Sequence, residues 1–283
     1  MAKITIPELK KKKVNGEKIT MLTAYDYPTA KLLQKAEIDL ILVGDSVGNV
    51  ILGYHSTVEV SMEEMIHHTK AVRRGAPESF IIGDMPFLSY QVSDEDAVKN
   101  AGRFIKEGGC DAVKVEGGRE VSDRIAAIIK AGIPVMGHLG LTPQTATMLG
   151  GLKVQGKDIQ TARKIYEDSI LLERLGCFAI VLECVPAQLA KLITDTVTIP
   201  VIGIGAGKDC DGQVLVFQDL IGLIEGFRPK FVKQYLKLHE VITDAVFKFK
   251  QEVQNGNFPS QEYSFSMKQE NFSQLLNEVK QKK

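Results

Sequence analysis

The stretch Gly108-Gly109-Cys110-Asp111-Ala112-Val113-Lys114-Val115-Glu116-Gly117-Gly118 decides the fold. Two glycines close a helical pattern, because glycine enters the left-handed conformation just past a helix end without a Cβ clash. A short β-branched run follows, ends on a lysine and a glutamate, and stops at two more glycines. The same unit recurs along the chain. Apolar runs of strand length stand at Ile19-Thr20-Met21-Leu22-Thr23, Leu40-Ile41-Leu42-Val43, Phe80-Ile81-Ile82, Ala112-Val113-Lys114-Val115, Pro134-Val135-Met136, Phe178-Ala179-Ile180-Val181-Leu182 and Val201-Ile202-Gly203-Ile204. Between them lie helical patterns of about 10–15 residues. Ser61 with Glu64 three residues on forms a capping-box pattern. Ser93 precedes the acidic Asp94-Glu95-Asp96, which suits a helix N-terminus. Gly75, Gly132 and Gly176 are read as further helix stops of the Gly108-Gly109 kind.

The runs are continuous rather than alternating, so the strands are buried on both faces, as in a parallel sheet. Seven βα units follow one another without a linker, and Val214-Leu215-Val216-Phe217 offers an eighth strand, with Lys230 to Val253 as its helix. Count and length together favour an α/β protein of the (β/α)8 TIM-barrel class over a large doubly wound sheet, since such a barrel fills about 250 residues as one domain. Residues 1–265 are expected to form a single barrel domain. Its first 17 residues supply a short helix capping one barrel end, and residues 266–283 form a polar tail. The Lys10–Lys13 run is read as a solvated helix face.

Lys plus Arg is 35 and Asp plus Glu is 35, so the net charge is zero. A nucleic-acid partner is not expected, because phosphate neutralisation demands a basic surface. No apolar run approaches the about 20 residues needed to cross a bilayer, so no membrane partner is expected. The segment Met1 to Lys13 lacks the apolar core of a secretory signal, and the four cysteines form no C-x-x-C pair, which points to the cytoplasm and reduced thiols.

In a (β/α)8 barrel the reacting groups sit at the C-terminal ends of the strands. Those ends read Gly44-Asp45-Ser46, Gly83-Asp84-Met85-Pro86, Lys114-Val115-Glu116, Gly137-His138-Leu139-Gly140 and Leu182-Glu183-Cys184. Five consecutive strands thus bring an ionisable group to one rim. Asp45, Asp84 and Glu116 are hard oxygen donors of the kind that suits Mg²⁺. No histidine–cysteine cluster has zinc spacing. Lys114 shares a strand face with Glu116 and points into the barrel mouth. There it could anchor an anionic substrate, form a Schiff base or act as counter-charge to the acids. His138 either orients a water or hydroxyl or is a structural histidine. Glu183 stands apart from the acidic trio as a general-base candidate. The glycines in Gly203-Ile204-Gly205-Ala206-Gly207 match no phosphate loop and are read as room for a ligand to approach the backbone.

These segments, together with Gly83-Asp84-Met85-Pro86-Phe87-Leu88-Ser89-Tyr90, Gly137-His138-Leu139-Gly140-Leu141-Thr142-Pro143-Gln144, Val181-Leu182-Glu183-Cys184-Val185-Pro186 and Cys210-Asp211-Gly212-Gln213-Val214-Leu215-Val216, resemble the ketopantoate hydroxymethyltransferases. The resemblance runs in order, from around Lys3 to around Phe265. It implies a Mg²⁺-dependent barrel of the phosphoenolpyruvate/ketoisovalerate-binding type that forms homodecamers. It implies transfer of a hydroxymethyl group from 5,10-methylenetetrahydrofolate to 3-methyl-2-oxobutanoate, giving 2-dehydropantoate for pantothenate and coenzyme A synthesis. It implies Asp45, Asp84 and Glu116 as the metal set, Asp45, Ser46, Asp84, Lys114 and His138 against substrate, and Glu183 as the proton acceptor. Two departures bear on loop shape and folate contacts: Val58-Glu59-Val60-Ser61 stands where the family pattern has Leu-Pro-Val-Thr, and Gln218 where it has His. Rival readings are a metal-dependent oxo-acid lyase or mutase on the same barrel, a Schiff-base aldolase using Lys114, and a non-catalytic keto-acid-binding barrel.

Overall fold

A computed structural model describes residues 3–226 and 228–281. The chain divides into two compact units, one ending at Tyr235 and one beginning at Leu236. The first is a closed barrel of eight parallel strands in sequential order: β1 (Ile19–Thr23), β2 (Leu40–Val43), β3 (Phe80–Asp84), β4 (Ala112–Glu116), β5 (Val135–Gly140), β6 (Ala179–Glu183), β7 (Val201–Ile204) and β8 (Gly212–Leu215), with β8 pairing back onto β1. The expected barrel is therefore the observed one. Helix α1 (Ile6–Asn15) precedes it. Helices α2 (Tyr27–Lys35), α3 (Met62–Gly75), α4 (Asp94–Arg103), α5 (Ser122–Lys130), α6 (Ile159–Leu175), α7 (Ala187–Thr196) and the four-residue α8 (Phe217–Leu220) follow the strands.

The strands have two buried faces, as their unbroken apolar runs require. Ile19, Met21, Leu40, Leu42, Phe80, Ile82, Ala112, Met136, Val181, Ile202 and Val214 fill the barrel interior. The alternate residues, such as Ile41, Ile81, Val113 and Val201, pack outward against the helices. Leu9 of α1 joins the inner cluster, so the N-terminal helix caps one end of the barrel as expected. Its lysines do not all face water. The Lys13 ammonium donates to the carbonyls of Thr194 and Ile199, each at 2.9 Å, and to Asp211 at 2.8 Å, while Lys12 pairs with Asp39. Free carbonyls near the end of α7 attract a cation that the run's composition alone assigned to solvent.

Ser61 and Glu64 cap α3 reciprocally, and Ser93 caps α4, as their spacing predicts. Gly109, Gly132 and Gly176 take φ of 72°, 87° and 98°, the left-handed helix stop. Gly75 serves differently. It is the last residue of α3, and a Cβ there would lie 2.3 Å from the Tyr27 carbonyl oxygen, so this glycine lets α3 approach α2.

The eighth strand begins two residues earlier than its apolar run. At Gly212 a Cβ would stand 2.5 Å from the Ile19 carbonyl oxygen, so the closest part of the β8–β1 seam carries no side chain and leaves no apolar signature. The helical pattern read at Lys230–Val253 begins only at Leu238. Val232 is buried, and the Tyr235 N–H donates to the Leu220 carbonyl, which holds the intervening stretch out of helix. In the second unit, α9 (Leu238–Gln254) and α10 (Gln269–Gln281) have no buried residue. The residue-265 boundary expected from polarity falls inside this unit. Among the described residues no helix is long and apolar enough to cross a membrane.

Candidate functional site

Alternation along the strands builds the site. On β3 the inward positions run Phe80, Ile82, Asp84. On β4 they run Ala112, Lys114, Glu116, and on β5 Met136, His138. Each strand is apolar at depth and ionisable at its C-terminal end. The register sets Asp84 beside Lys114 and Glu116 beside His138. A continuous chain of charged groups results. The Lys114 ammonium lies 2.6 Å from Asp84 Oδ1 and 3.6 Å from Glu116 Oε1. His138 Nδ1 lies 3.3 Å from Glu116 Oε1, and its Nε2 lies 3.3 Å from Glu183 Oε2. Neither imidazole contact has hydrogen-bond alignment, and both ring nitrogens are buried. Asp45 joins the group through its backbone N–H, which donates to Asp84 Oδ2 at 3.2 Å. Ser46 Oγ lies 2.7 Å from the Tyr25 hydroxyl. All six expected rim positions and Glu183 therefore occupy one end of the barrel. Glu183 is the open member of the chain, with 17% of its side chain exposed against 2% for Glu116 and His138.

Asp45, Asp84, Glu116 and Glu183 face two basic groups, Lys114 and His138. Burial, with Asp84 and Glu116 alongside, pushes the Asp45 carboxyl well above the usual carboxylate range. Burial also raises Asp84, against the pull of Lys114. Glu116 would be raised by burial too, but Lys114 and His138 outweigh it and hold its carboxyl below the ordinary value. Burial opposes the charge on Lys114, yet Asp84, Glu116 and Asp45 raise its pKa, so it is an ammonium at neutral pH. Burial and Lys114 push His138 down, while Glu116 and Glu183 push it up further, to about 9.

The donor set fits a hard divalent cation in chemistry and in charge: three buried carboxylates, too little compensating charge, and Glu116 Oε1 buried without a hydrogen-bond partner. Among the described residues no group of three His, Cys, Asp or Glu side chains is placed to hold an ion, so waters or a bound substrate would have to supply ligands. An open, partial set suits Mg²⁺, which keeps several of its waters.

Four contributors escaped a reading based on ionisable strand ends. Tyr25 and Tyr90 are neutral at pH 7, and Gln144 carries no charge at all. The Gln144 amide Nε2 donates to Asp45 Oδ2 at 2.9 Å and to the Met85 carbonyl at 3.0 Å. Cys184, directly after Glu183, holds φ at 47°, a conformation few non-glycine residues adopt. Its N–H donates to the Ile204 carbonyl and its carbonyl accepts from Gln155, so the surrounding backbone sustains the turn that ends β6. The glycines of 203–207 serve the chain's own packing: Cβ atoms at Gly205 and Gly207 would meet Phe231 at 2.8 Å and Ala187 at 2.6 Å.

Gly140 packs closely against the backbone of Glu183. Its φ is 95°, and a Cβ would lie 2.2 Å from the Glu183 carbonyl oxygen. Gly140→Ala is expected to destabilise the protein by about 1–3 kcal/mol in urea unfolding, through overpacking and backbone strain together.

A family model described as ketopantoate hydroxymethyltransferase matches residues 3–261. The chain belongs to the ketopantoate hydroxymethyltransferase family. As a member of that family it is 59% identical over 264 residues to the 3-methyl-2-oxobutanoate hydroxymethyltransferase of Moorella thermoacetica, covering 93% of this chain and 98% of that protein. It is 53% identical over 275 residues to the protein of the same name from Syntrophomonas wolfei, covering 97% of this chain and 100% of that one. Among solved structures this hydroxymethyltransferase-family chain is similar to phosphonopyruvate hydrolase in complex with oxalate and Mg²⁺, with a TM-score of 0.60 at 12% identity over 98% of this chain and 97% of that one. It is also similar to 2,3-dimethylmalate lyase, described as a member of the PEP mutase/isocitrate lyase superfamily, with a TM-score of 0.58 at 12% identity over 92% and 91% of the two chains. At that identity the similarity establishes a shared barrel fold.

Proposed function

We propose that this chain transfers a hydroxymethyl group from 5,10-methylenetetrahydrofolate to 3-methyl-2-oxobutanoate, giving 2-dehydropantoate. The observation that carries the reading is its 59% identity, over nearly the full length of both chains, to a protein of that name. The charge chain at the barrel rim supplies chemistry that fits it.

Asp45, Asp84 and Glu116 are the residues that would hold Mg²⁺. The bound ion supplies Lewis-acid polarisation of the oxo acid. The chain's own groups do the rest. Lys114, held as an ammonium among Asp84, Glu116 and Asp45, faces the negative charge that develops on the ketone oxygen as the C3 proton leaves. Glu183 accepts that proton, breaking the C3–H bond, with His138 Nε2 3.3 Å from its carboxylate. C3 then bonds to the methylene carbon of the folate iminium. Hydrolysis of the carbon–nitrogen bond leaves the hydroxymethyl group and frees tetrahydrofolate, with His138 within reach of the water or new hydroxyl. Ser46, backed by Tyr25, binds the substrate's carboxylate end. A Schiff base on Lys114 is disfavoured, because it needs a neutral amine and the surrounding acids hold the charged form. A binding-only barrel would bear the cost of clustering four acids without using them.

The enzyme works in the cytoplasm, where its four free cysteines stay reduced. It assembles as a homodecamer, an assembly that would cover apolar surface such as Val246, Phe247 and Phe249 of α9. The deciding experiment measures folate-dependent consumption of 3-methyl-2-oxobutanoate with Mg²⁺ and again after exhaustive chelation. Chelation is expected to lower the rate about 100-fold or more, since metal polarisation contributes several kcal/mol. Full activity in the chelated enzyme would remove the metal from the reading, and no folate-dependent turnover in either condition would remove the reaction.

A further inference from the structure

We infer that Gln144 is a positioning residue that holds Asp45 and Glu116 in place as a pair of donors for a divalent cation; the inference rests on the cation assigned under the proposed function. Gln144 lies in the turn Pro143–Thr145 that follows β5, and the residue is 4% exposed. Every polar atom it carries into the site is engaged. Nε2 donates to Asp45 Oδ2 and the Met85 carbonyl, at 2.9 and 3.0 Å. Oε1 accepts from the Tyr90 hydroxyl at 2.9 Å. The backbone N–H of the same residue donates to Glu116 Oε2 at 3.1 Å. One residue thus grips an oxygen of each of two carboxylates that come from different strand ends.

The orientation of the amide follows from its partners. Turned over, its oxygen would face the Asp45 carboxylate and the Met85 carbonyl, two acceptors against a third. Tyr90 fixes the other end, its hydroxyl lying between Gln144 Oε1 and the Glu116 carbonyl at 3.0 Å. A neutral amide suits the task. A lysine or arginine in its place would tie the carboxylates equally well but cancel the negative charge that attracts a cation. Gln144 takes Oε2 of Glu116, while Oε1 is buried without a hydrogen bond, beside the Lys114 ammonium at 3.6 Å and His138 Nδ1 at 3.3 Å. Partners of this kind around ligating groups set metal affinity, and their loss typically weakens it about 10–100-fold.

The test uses Mn²⁺ as probe. Free Mn²⁺ is followed by electron paramagnetic resonance as the full-length protein is titrated, which reads binding without catalysis. Gln144→Met, close in volume but without donors, is expected to bind Mn²⁺ about 10–100-fold more weakly with its circular dichroism unchanged. Tyr90→Phe, which frees the amide at one end, is expected to lose affinity in the same direction by less, and it decides the matter if Gln144→Met does not fold. Mn²⁺ affinity equal to that of the parent protein in the folded variants overturns the role of Gln144 and leaves the cation in place. A parent protein that binds no Mn²⁺ overturns the cation assignment, and this inference with it.

Discussion

Glu183→Gln is expected to stop deuterium exchange at C3 of 3-methyl-2-oxobutanoate, lowering the exchange rate about 10²–10⁴-fold, the range supplied by a positioned general base. The substitution keeps the shape of the side chain and removes its ability to take a proton. Glu183 is suited to this measurement because it ends the charge chain. It touches His138 and lies beyond the buried set that surrounds Lys114, so its loss leaves Asp84, Lys114 and Glu116 in contact. Exchange is the sharper assay, since it follows the first bond broken and needs no folate. Exchange at the parent rate, with the protein folded, would move the proton to another acceptor. Loss of hydroxymethyl transfer with exchange retained would assign Glu183 to a later step.

Lys114→Met is expected to cost both stability and rate. Lys114 is 4% exposed and is the cation shared by Asp84 and Glu116. Removing one member of a buried pair leaves an uncompensated charge and costs about 3–5 kcal/mol. The pH dependence distinguishes this from a simple packing loss. Glu116 has its folded pKa depressed, so its contribution is present above its ordinary value of 4.5 and is lost as pH falls through the lower folded value. Lys114 has its folded pKa raised, so its contribution is present below its ordinary value of 10.5 and is lost as pH rises beyond that. Asp45 and Asp84, the other acids around Lys114, have raised folded pKa values and take up protons first as pH falls, so the stability difference between parent and variant is expected to be full at neutral pH, to shrink progressively toward acid and to shrink again above pH 10.5, in urea unfolding without added divalent ion. A difference that stays flat down to pH 3 would show that lost packing, rather than lost charge, is responsible. Turnover should fall as well, because the variant has no ammonium to face the developing oxyanion.

Local chemistry made the barrel legible. Apolar runs buried on both faces, serine caps at Ser61 and Ser93, and glycine stops at Gly109, Gly132 and Gly176 each act through their own neighbours, and their regular repetition left few topologies open. The rim acids were legible for a related reason. The two-residue period of a strand ties Glu116 to Lys114 and Asp84 to Ile82, so the end of each strand could be assigned a direction before any contact was known. What could not be read had its cause elsewhere in space. Gly75 and Gly212 are glycines because of Tyr27 and Ile19, which approach them from other elements. Lys13 is held by carbonyls nearly 200 positions away in sequence.

The amino-acid sequence by itself determined the eight-stranded barrel, the end of it at which ionisable groups gather, and the identity of the acids, the lysine and the histidine found there. Only the tertiary structure decided that these groups form one connected chain from Asp84 to Glu183, that Lys114 stays charged within it, and that the neutral Gln144 and Tyr90 tie Asp45 to Glu116. The division has a physical reason. Strand direction and helix ends depend on a residue and its near neighbours, whereas protonation and hydrogen-bond partnership depend on what closure of the barrel brings within about 3–4 Å, where burial makes each charge felt strongly.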